Sequence, residues 1–264
     1  MKISALTLFP EICEEFLNLS VIGRARKEGI IDLEAVPLRD FGLGKHKKVD
    51  DTPYGGGPGM LMRADVLHAA ISAQIDSGRA REDTKVLLTS PRGVPFSHSV
   101  ASSLSSWISE RPKRQILVIC GRYEGVDQRF IEKEVDLELS LGDFVISGGE
   151  IAAMAMIDAV TRLIPGVLGK SASIEEESFR SSLLEYSQYT KPAIWEEMEV
   201  PEILLSGHHE KIEEWRLREA IELTYALRQE LVTQIDSSKF PDWAQSLALR
   251  LQNRLKLRLD QSDS

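Results

Sequence analysis

Three glycine-rich segments of this chain have the composition of ligand-binding loops, because glycine lets the backbone approach a small molecule closely. They are residues 53–59 (PYGGGPG), 121–125 (GRYEG) and 140–150 (SLGDFVISGGE). In open α/β sheets, ligands bind where strands end, so three such loops together predict a small-molecule site. The dinucleotide-binding pattern GxGxxG and the P-loop pattern are both missing. The residues alone therefore predict only an adenosine-like or phosphate-bearing ligand.

The elements that must position these loops alternate between strand-like and helix-like patterns over the first two thirds of the chain. Short apolar runs predict strands at residues 3–9, 30–38, 86–89 and 116–120. Helical patterns lie between or after them, at residues 64–75, 100–108 and 151–163. This alternation predicts an α/β domain with a mostly parallel sheet.

The sequence changes character after Gly169. Residues 170–177 are polar and end in three glutamates, which is typical of an exposed connector. Apolar positions then recur with helical spacing from Ile212 onward and again over residues 243–259. We therefore expect a domain over residues 1–169, a linker over 170–177 and a small helical domain over 178–264.

The composition is that of a globular protein, with 42% hydrophobic and 28% charged residues among 264. The sequence contains no apolar run near the roughly 20 residues that a membrane helix needs, and its start does not resemble a signal peptide. Cys13 and Cys120 are far apart and lack metal-ligand neighbours, which favours a reducing cytoplasm over a disulfide scaffold or a zinc site.

The net charge of −9 argues against bulk electrostatic coating of nucleic acid, but local basic patches remain. These are residues 45–48 (KHKK), the group Arg111, Lys113 and Arg114, and the group Arg250, Arg254, Lys256 and Arg258. Each patch by itself is more typical of a solvated surface than of an RNA contact.

Longer motifs resemble the bacterial tRNA (guanine-N1)-methyltransferase family over roughly residues 1–225. They are residues 8–11 (LFPE), 49–60 (VDDTPYGGGPGM), 120–125 (CGRYEG), 142–150 (GDFVISGGE), 162–169 (RLIPGVLG) and 199–209 (EVPEILLSGHH). The resemblance implies a deep trefoil-knotted α/β domain of the SPOUT type with a parallel sheet, followed by a small all-helical C-terminal domain that binds tRNA. It also implies a cytoplasmic homodimer whose active sites are shared between subunits.

The implied reaction moves a methyl group from S-adenosylmethionine to N1 of guanosine 37 in tRNA. The positions that match the family's donor-binding residues are Leu88, Thr89, Ser90, Pro91, Gly121, Tyr123, Glu124, Ser140, Leu141, Gly142, Asp143, Phe144, Val145, Ile146, Gly148 and Gly149. Backbone groups in tight glycine turns can contact the adenine edge and the ribose. A carboxylate such as Glu124 could attract the sulfonium charge or could instead be part of a structural ion pair.

The implied chemistry removes a proton from guanine N1 and stabilises negative charge on O6, tasks that suit a carboxylate and an arginine. Arg162 matches the family's catalytic arginine. The family's base is usually the aspartate of an Asp-Ser-Phe motif, whereas this chain has Glu177-Ser178-Phe179. Glu177 is therefore the expected base, with Glu176 as the alternative.

The implied substrate-facing residues are His46, Asp50, Tyr54, Gly55, Gly56, Gly57, Pro58 and Gly59. The family also implies a need for Mg²⁺, although no carboxylate cluster in the sequence marks a site for the ion.

Two other functions remain open on these residues. One is a knotted methyltransferase that acts on another RNA, such as ribosomal RNA. The other is a catalytically silent RNA-binding protein, suggested by the glutamate at position 177.

Overall fold

The computed structural model describes residues 1–76, 78–168 and 182–262, and the chain divides into two compact units, Met1–Gly169 and Lys170–Ser264. The first unit contains a five-stranded sheet in the order β2-β1-β6-β5-β7, and its pairings are all parallel. The parallel sheet expected from the alternating pattern is therefore confirmed. Its strands are β1 (Lys2–Thr7), β2 (Asp32–Pro37), β5 (Thr84–Pro95), β6 (Gln115–Ile119) and β7 (Leu137–Ser140).

Helices cover both faces of this sheet, and two short strands, β3 (Asp50–Asp51) and β4 (Leu61–Met62), form a separate antiparallel pair. The helices are α1 (Pro10–Leu17), α2 (Ser20–Lys27), α3 (Ala64–Asp76), α4 (His98–Ser109), α5 (Gln128–Glu134) and α6 (Glu150–Arg162). Short 3₁₀ turns occur at Leu38–Phe41 and Arg81–Asp83. Strand β1 is followed by α1 because Pro10 fixes φ and occupies the first helical position.

The central strands are continuous apolar runs because neighbouring residues pack into two different cores. Ile116 and Val118 contact the cluster beneath α1, α2, α4 and α6, while Leu117 and Ile119 contact the cluster beneath α3 and α5. Complete burial of one such side chain contributes about 1.5–3 kcal/mol. Burial of these strands thus stabilises the sheet, and the loops at their carboxyl ends remain available for binding a ligand.

Strand β5 is longer than the expected residues 86–89 and contains an irregularity. Leu139 of β7 pairs with both Thr89 and Val94, so residues 90–93 bulge out of the ladder. The chain then rejoins the sheet at Val94 before α4 begins. This bulge places residues 90–92 at the edge of the candidate site described below.

The second unit contains α7 (Glu202–Leu205), α8 (His209–Leu227), α9 (Gln229–Val232) and α10 (Asp242–Ser262), with a 3₁₀ turn at Ser237–Lys239. The apolar stripe expected from residue 212 onward packs partly as predicted, since Ala220 and Ile221 are buried with Ala244, Ala248 and Leu255. The expectation of an all-helical C-terminal domain is wrong. Strands β8 (Ile194–Trp195) and β9 (Met198–Glu199) form an antiparallel pair there, because residues 196 and 197 adopt the positive φ angles of a tight turn.

Candidate active site

A cleft of about 600 Å³ lies at the bulge of β5 and at the ends of β6 and β7, and two of the three glycine-rich loops line it. Its lining includes most of the positions expected to bind the methyl donor: Leu88, Thr89, Ser90, Pro91, Gly121, Tyr123, Glu124, Ser140, Leu141, Phe144, Val145, Ile146, Gly148 and Gly149. Gly142 and Asp143 belong to the same loop but do not line the cleft. The volume suits a small molecule the size of a nucleoside derivative.

The cleft has lining residues that the sequence did not single out as functional. Arg92 pairs with Glu138, with its Nε 3.0 Å from Oε2, and donates to Gln128 at 2.7 Å. Arg122 lies between Gly121 and Tyr123 and also lines the cleft. Its place inside the glycine-rich segment 121–125 is the signal that could have identified it, whereas nothing local marks Arg92.

Thr89 and Gly149 fix the loops of the cleft to one another. The backbone N–H of Gly121 donates to Oγ1 of Thr89 at 2.9 Å, and that hydroxyl donates to the carbonyl of Ile119 at 3.2 Å. The N–H of Gly149 donates to the carbonyl of Gly121 at 2.8 Å. Thr89 of β5 and the loops after β6 and β7 therefore form one hydrogen-bonded network, which presents backbone atoms to the cleft.

The first glycine-rich segment, residues 53–59, lies against the loop that follows β6. Gly55, Gly56, Gly57 and Gly59 all have positive φ angles, which other residues adopt only with strain. The N–H of Glu124 donates to the carbonyl of Met60 at 3.0 Å. A Cβ atom on Gly59 would lie 2.3 Å from Cγ of Glu124, so this glycine is packed closely against the Glu124 side chain.

Tyr123 lines the cleft and is close enough to Asp50 to feel its charge. Its φ of +59° is unusual for a residue with a side chain. Burial raises the pKa of the Tyr123 phenol, and the negative charge of Asp50 raises it further. The expected substrate-facing aspartate is thus near a residue that lines the cleft.

The other expected substrate-facing residues are at the surface. Tyr54 is 98% exposed, and Pro58 and His46 are also exposed. The basic segment next to His46 is partly neutralised, because Lys47 pairs with Asp40 at 2.8 Å and Lys48 pairs with Asp51 at 3.0 Å. Exposed side chains of this kind are available to a large substrate, although the local positive charge is smaller than the sequence suggests.

Arg162 does not lie at the cleft of its own chain. It is the last residue of α6, and the first turn of the same helix contributes Ala152 to the cleft. Arg162 is ten residues further along the helix than Ala152, a distance of about 15 Å along the axis. An arginine side chain is much shorter than this distance. The other expected catalytic residue, Glu177, lies outside the described residues, as does its alternative Glu176.

A second cavity, of about 690 Å³, lies near the start of the first glycine-rich segment and is lined by Tyr54 among other residues. Its charged side chains neutralise one another. Arg63 pairs with Asp51 at 2.7 Å and with Asp65 at 2.8 Å, and Arg129 pairs with Asp127 at 2.7 Å. The glycine-lined cleft is therefore the better candidate for a ligand that backbone groups recognise.

Metal ligands do not gather anywhere in residues 1–76, 78–168 and 182–262, where no three His, Cys, Asp or Glu side chains could hold an ion together. The described residues thus do not fit a protein-held Mg²⁺ site, and we assign no step to a metal. Within the same residues, no helix is both long and apolar enough to cross a membrane.

Several known proteins are similar to this chain over most of its length. The family model described as tRNA (Guanine-1)-methyltransferase TrmD matches residues 1–234. A tRNA (guanine-N(1)-)-methyltransferase of Clostridium beijerinckii is 48% identical over 239 residues, covering 90% of this chain and 95% of the relative. One from Heliobacterium modesticaldum is 47% identical over 88% of this chain and 84% of its own length. One from Actinobacillus pleuropneumoniae is 42% identical over 97% of this chain and 100% of its own length.

Proposed function

Because the chain belongs to the tRNA (guanine-1)-methyltransferase family, we propose that it methylates N1 of guanosine 37 in tRNA, next to the anticodon. Membership of the family means that the enzyme uses S-adenosylmethionine to methylate N1 of a guanine in tRNA. The observation that carries our assignment of the site is the joining of the loops after β6 and β7 to Thr89 of β5 around one glycine-lined cleft.

The cleft is suited to a nucleoside whose polar edges meet backbone groups. The loops containing Thr89, Gly121 and Gly149 are held by mutual hydrogen bonds, so they need little rearrangement to receive a ligand. Glu124 lines the same cleft, and its carboxylate would stabilise a positive sulfonium bound near it. When bound, the donor supplies an electrophilic methyl group, and the protein's own residues must prepare the guanine.

We assign the preparation of the guanine to Glu177 and Arg162. N1 of guanine carries a proton that must leave before or as its bond to the methyl carbon forms and the sulfur–carbon bond breaks. Glu177 accepts that proton, and Arg162 stabilises the negative charge that develops on O6. Both assignments rest on the positions that these residues share with the family's motifs.

We infer that the enzyme is a homodimer in which Arg162 of one subunit serves the cleft of the other. The support is the length of α6, which separates Arg162 from Ala152 at its own cleft by about 15 Å. Apolar side chains of the same unit are also exposed, including Ile12 of α1, Ile151 of α6 and Val145 in the loop before α6. Helices α1 and α6 pack together, which makes a shared apolar surface for a second copy.

We also infer that the first unit is knotted. The sheet order places β7 at an edge beyond β5. After β7, however, the chain returns to contact the loop after β6 through Gly149 and the end of β1 through Glu150. A segment that crosses back over preceding strands in this way is compatible with a deep trefoil knot, a rare exception to ordinary chain topology.

The tRNA is expected to contact both units. We assign the guanine side of the site to Asp50, Tyr54, His46 and the segment 55–59, and further tRNA contacts to the unit after the linker at 170–177. The need for Mg²⁺ remains a prediction, and its ligands would include atoms of the substrates. With tRNA as the substrate, we place the enzyme in the cytoplasm.

The decisive experiment is methyl transfer to unmodified tRNA transcripts that carry guanosine or adenosine at position 37. Digestion of the product and mass spectrometry should give 1-methylguanosine from the first transcript and no product from the second. A ribose-methylated or uridine product from ribosomal RNA would favour the other RNA substrate. Binding of S-adenosylmethionine without turnover on any RNA would favour a silent binding protein.

A further inference from the structure

Glu150 is a buried carboxylate to which the reaction assigns no role. It is the first residue of α6 and is only 3% exposed. Oε1 accepts a hydrogen bond from the Thr7 hydroxyl at 2.7 Å, and Oε2 lies 3.0 Å from both Nε and Nη2 of Arg122. Carboxylates are rarely buried unless they are paired in this way. The helix N-terminus adds a further favourable field for the negative charge.

The three residues come from three different strand ends. Thr7 ends β1, Arg122 follows β6, and Glu150 follows the long loop after β7. Arg122 reaches one more segment, because its Nη1 donates to the carbonyl of Ser147 at 3.0 Å. Its guanidinium also lies 4.3 Å from the centre of the Phe9 ring. The buried carboxylate therefore fixes an arginine that belongs to the loop after β6 and contacts the loop before α6.

The backbone near Gly148 is packed directly on this arginine. A Cβ atom on Gly148 would lie 2.1 Å from Nε of Arg122, so the loop and the guanidinium have no space between them. The next residue, Gly149, donates to the carbonyl of Gly121. Movement of Arg122 would thus change the spacing of the loop after β6 and the loop before α6. It would also leave Glu150 as an unpaired charge in the interior, which is strongly unfavourable.

We propose that Glu150 is a positioning residue for the methyl donor, holding Arg122 so that the loops 121–124 and 147–149 receive S-adenosylmethionine in one fixed geometry. Glu150 is not among the residues that line the cleft, so it acts through Arg122 and not by contact with the donor. This inference rests on the proposed function, because it assumes that the donor binds in this cleft. The proposal predicts that affinity for the donor depends on Glu150 and that the rate of the chemical step does not.

The test is Glu150→Gln in the full-length enzyme. Glutamine keeps the volume, but when its oxygen accepts from Thr7, its N–H₂ group faces the two donors of Arg122 and accepts from neither. The KM for S-adenosylmethionine and the Kd of S-adenosylhomocysteine, measured by calorimetry, should both rise by about 10- to 100-fold. The kcat at saturating donor and the KM for tRNA should stay within about threefold of the native values.

Glu14→Gln is the matched control, because Glu14 also pairs with an arginine and accepts a backbone N–H but does not line the cleft. It should leave the donor KM unchanged. An unchanged donor KM in Glu150→Gln, a fall in kcat without a change in KM, or an equal effect in Glu14→Gln would overturn the proposal.

If Glu150→Gln does not fold, Thr7→Val provides the same test. This change removes the hydroxyl that donates to Oε1 at nearly constant shape, so the donor KM should rise about 3- to 10-fold with kcat unchanged. No change in the donor KM would overturn the role of Glu150. Failure of the native enzyme to bind S-adenosylhomocysteine would instead refute the assignment of the cleft itself.

Discussion

Gly149 lies so close to Thr89 that a Cβ atom at position 149 would be 1.8 Å from Oγ1 of Thr89. The same atom would be 2.7 Å from the backbone nitrogen of Gly121, which donates to that hydroxyl. No carbon atom fits at either distance, so a side chain at position 149 must push the loops apart. The absence of a side chain at one residue thus permits the hydrogen bonds that shape the cleft.

Gly149→Ala should therefore weaken binding of the methyl donor, with a rise in its KM of about 10²-fold, because small displacements in a binding site have effects of that size. The measurement is steady-state methyl transfer at varied S-adenosylmethionine. Gly29→Ala is the control, since Gly29 has a φ of +72° but no atom within 4 Å of the added Cβ. That variant should lose about 1–2 kcal/mol of stability and keep the native KM. A native KM in Gly149→Ala would contradict the proposed tight packing.

The sequence predicted the strands and helices whose residues follow a regular hydrophobic pattern. Residues 116–120 are apolar throughout because alternate residues face two cores, and β6 (Gln115–Ile119) lies there. Helices α1, α2 and α5 were not predicted, since seven or eight residues contain too few turns for a clear periodicity. The strands β8 and β9 were missed for the same reason, with two residues each.

The site could be predicted only in part. The glycine-rich segments indicated a ligand, and the longer motifs indicated which ligand. Long-range contacts were not accessible from the sequence. A glutamate at a helix start is usually a solvated residue that favours the helix dipole. Burial of Glu150 depends on Thr7, which is 143 residues away, and on Arg122, which is 28 residues away.

Arg162→Ala should lower kcat by about 10²- to 10³-fold and leave donor affinity nearly native, because charge on O6 develops mainly in the transition state. Single-turnover methyl transfer with saturating donor and tRNA measures this directly. Arg81→Ala is a suitable control, because Arg81 donates to the carbonyls of Thr84 and Glu134 and has a structural role. It should reduce thermal stability with little change in kcat. Near-native turnover in Arg162→Ala would remove Arg162 from the catalytic role.

The quaternary structure gives a separate prediction. Light scattering at micromolar concentration should give twice the mass of one chain, and Ile151→Glu should shift the enzyme to monomers and abolish turnover. The reason is that a carboxylate in a buried apolar interface is costly, and the interface should bury at least about 2,000 Å². Leu227→Glu, at a similarly exposed leucine in the second unit, should remain dimeric. A fully active native monomer would contradict the shared active site.

Stability should depend on pH through Glu14. The hydrogen bond from Arg26 lowers the pKa of the Glu14 carboxyl below its ordinary value of 4.5. A group with a lowered pKa stabilises the folded state above its ordinary pKa and loses that effect as the pH falls through its folded-state pKa. Glu14→Gln should therefore reduce the free energy of unfolding at pH 7, by at most about 1 kcal/mol for this partly exposed pair.

The difference between Glu14→Gln and the native enzyme should shrink as the pH falls below 4.5, as measured by urea denaturation at several pH values. Glu15→Gln removes the same charge from an exposed position on the same helix and should show no such pH-dependent difference. A difference that stays constant from pH 7 to pH 3 would show that the ion pair is not its cause.

Glu177 should act as the general base although the family usually has an aspartate there. Glu177→Gln keeps the size and hydrogen bonding of the side chain but cannot accept a proton, so kcat should fall by about 10²- to 10⁴-fold. Glu177→Asp restores the usual residue of the family and should retain substantial activity.

Glu175→Gln and Glu176→Gln test for simple loss of charge in the same acidic segment. If Glu176→Gln is inactive and Glu177→Gln is active, the base is Glu176. If all three glutamine variants are active, the proton is taken by water or by another carboxylate such as Asp50, which lies near Tyr123 at the cleft.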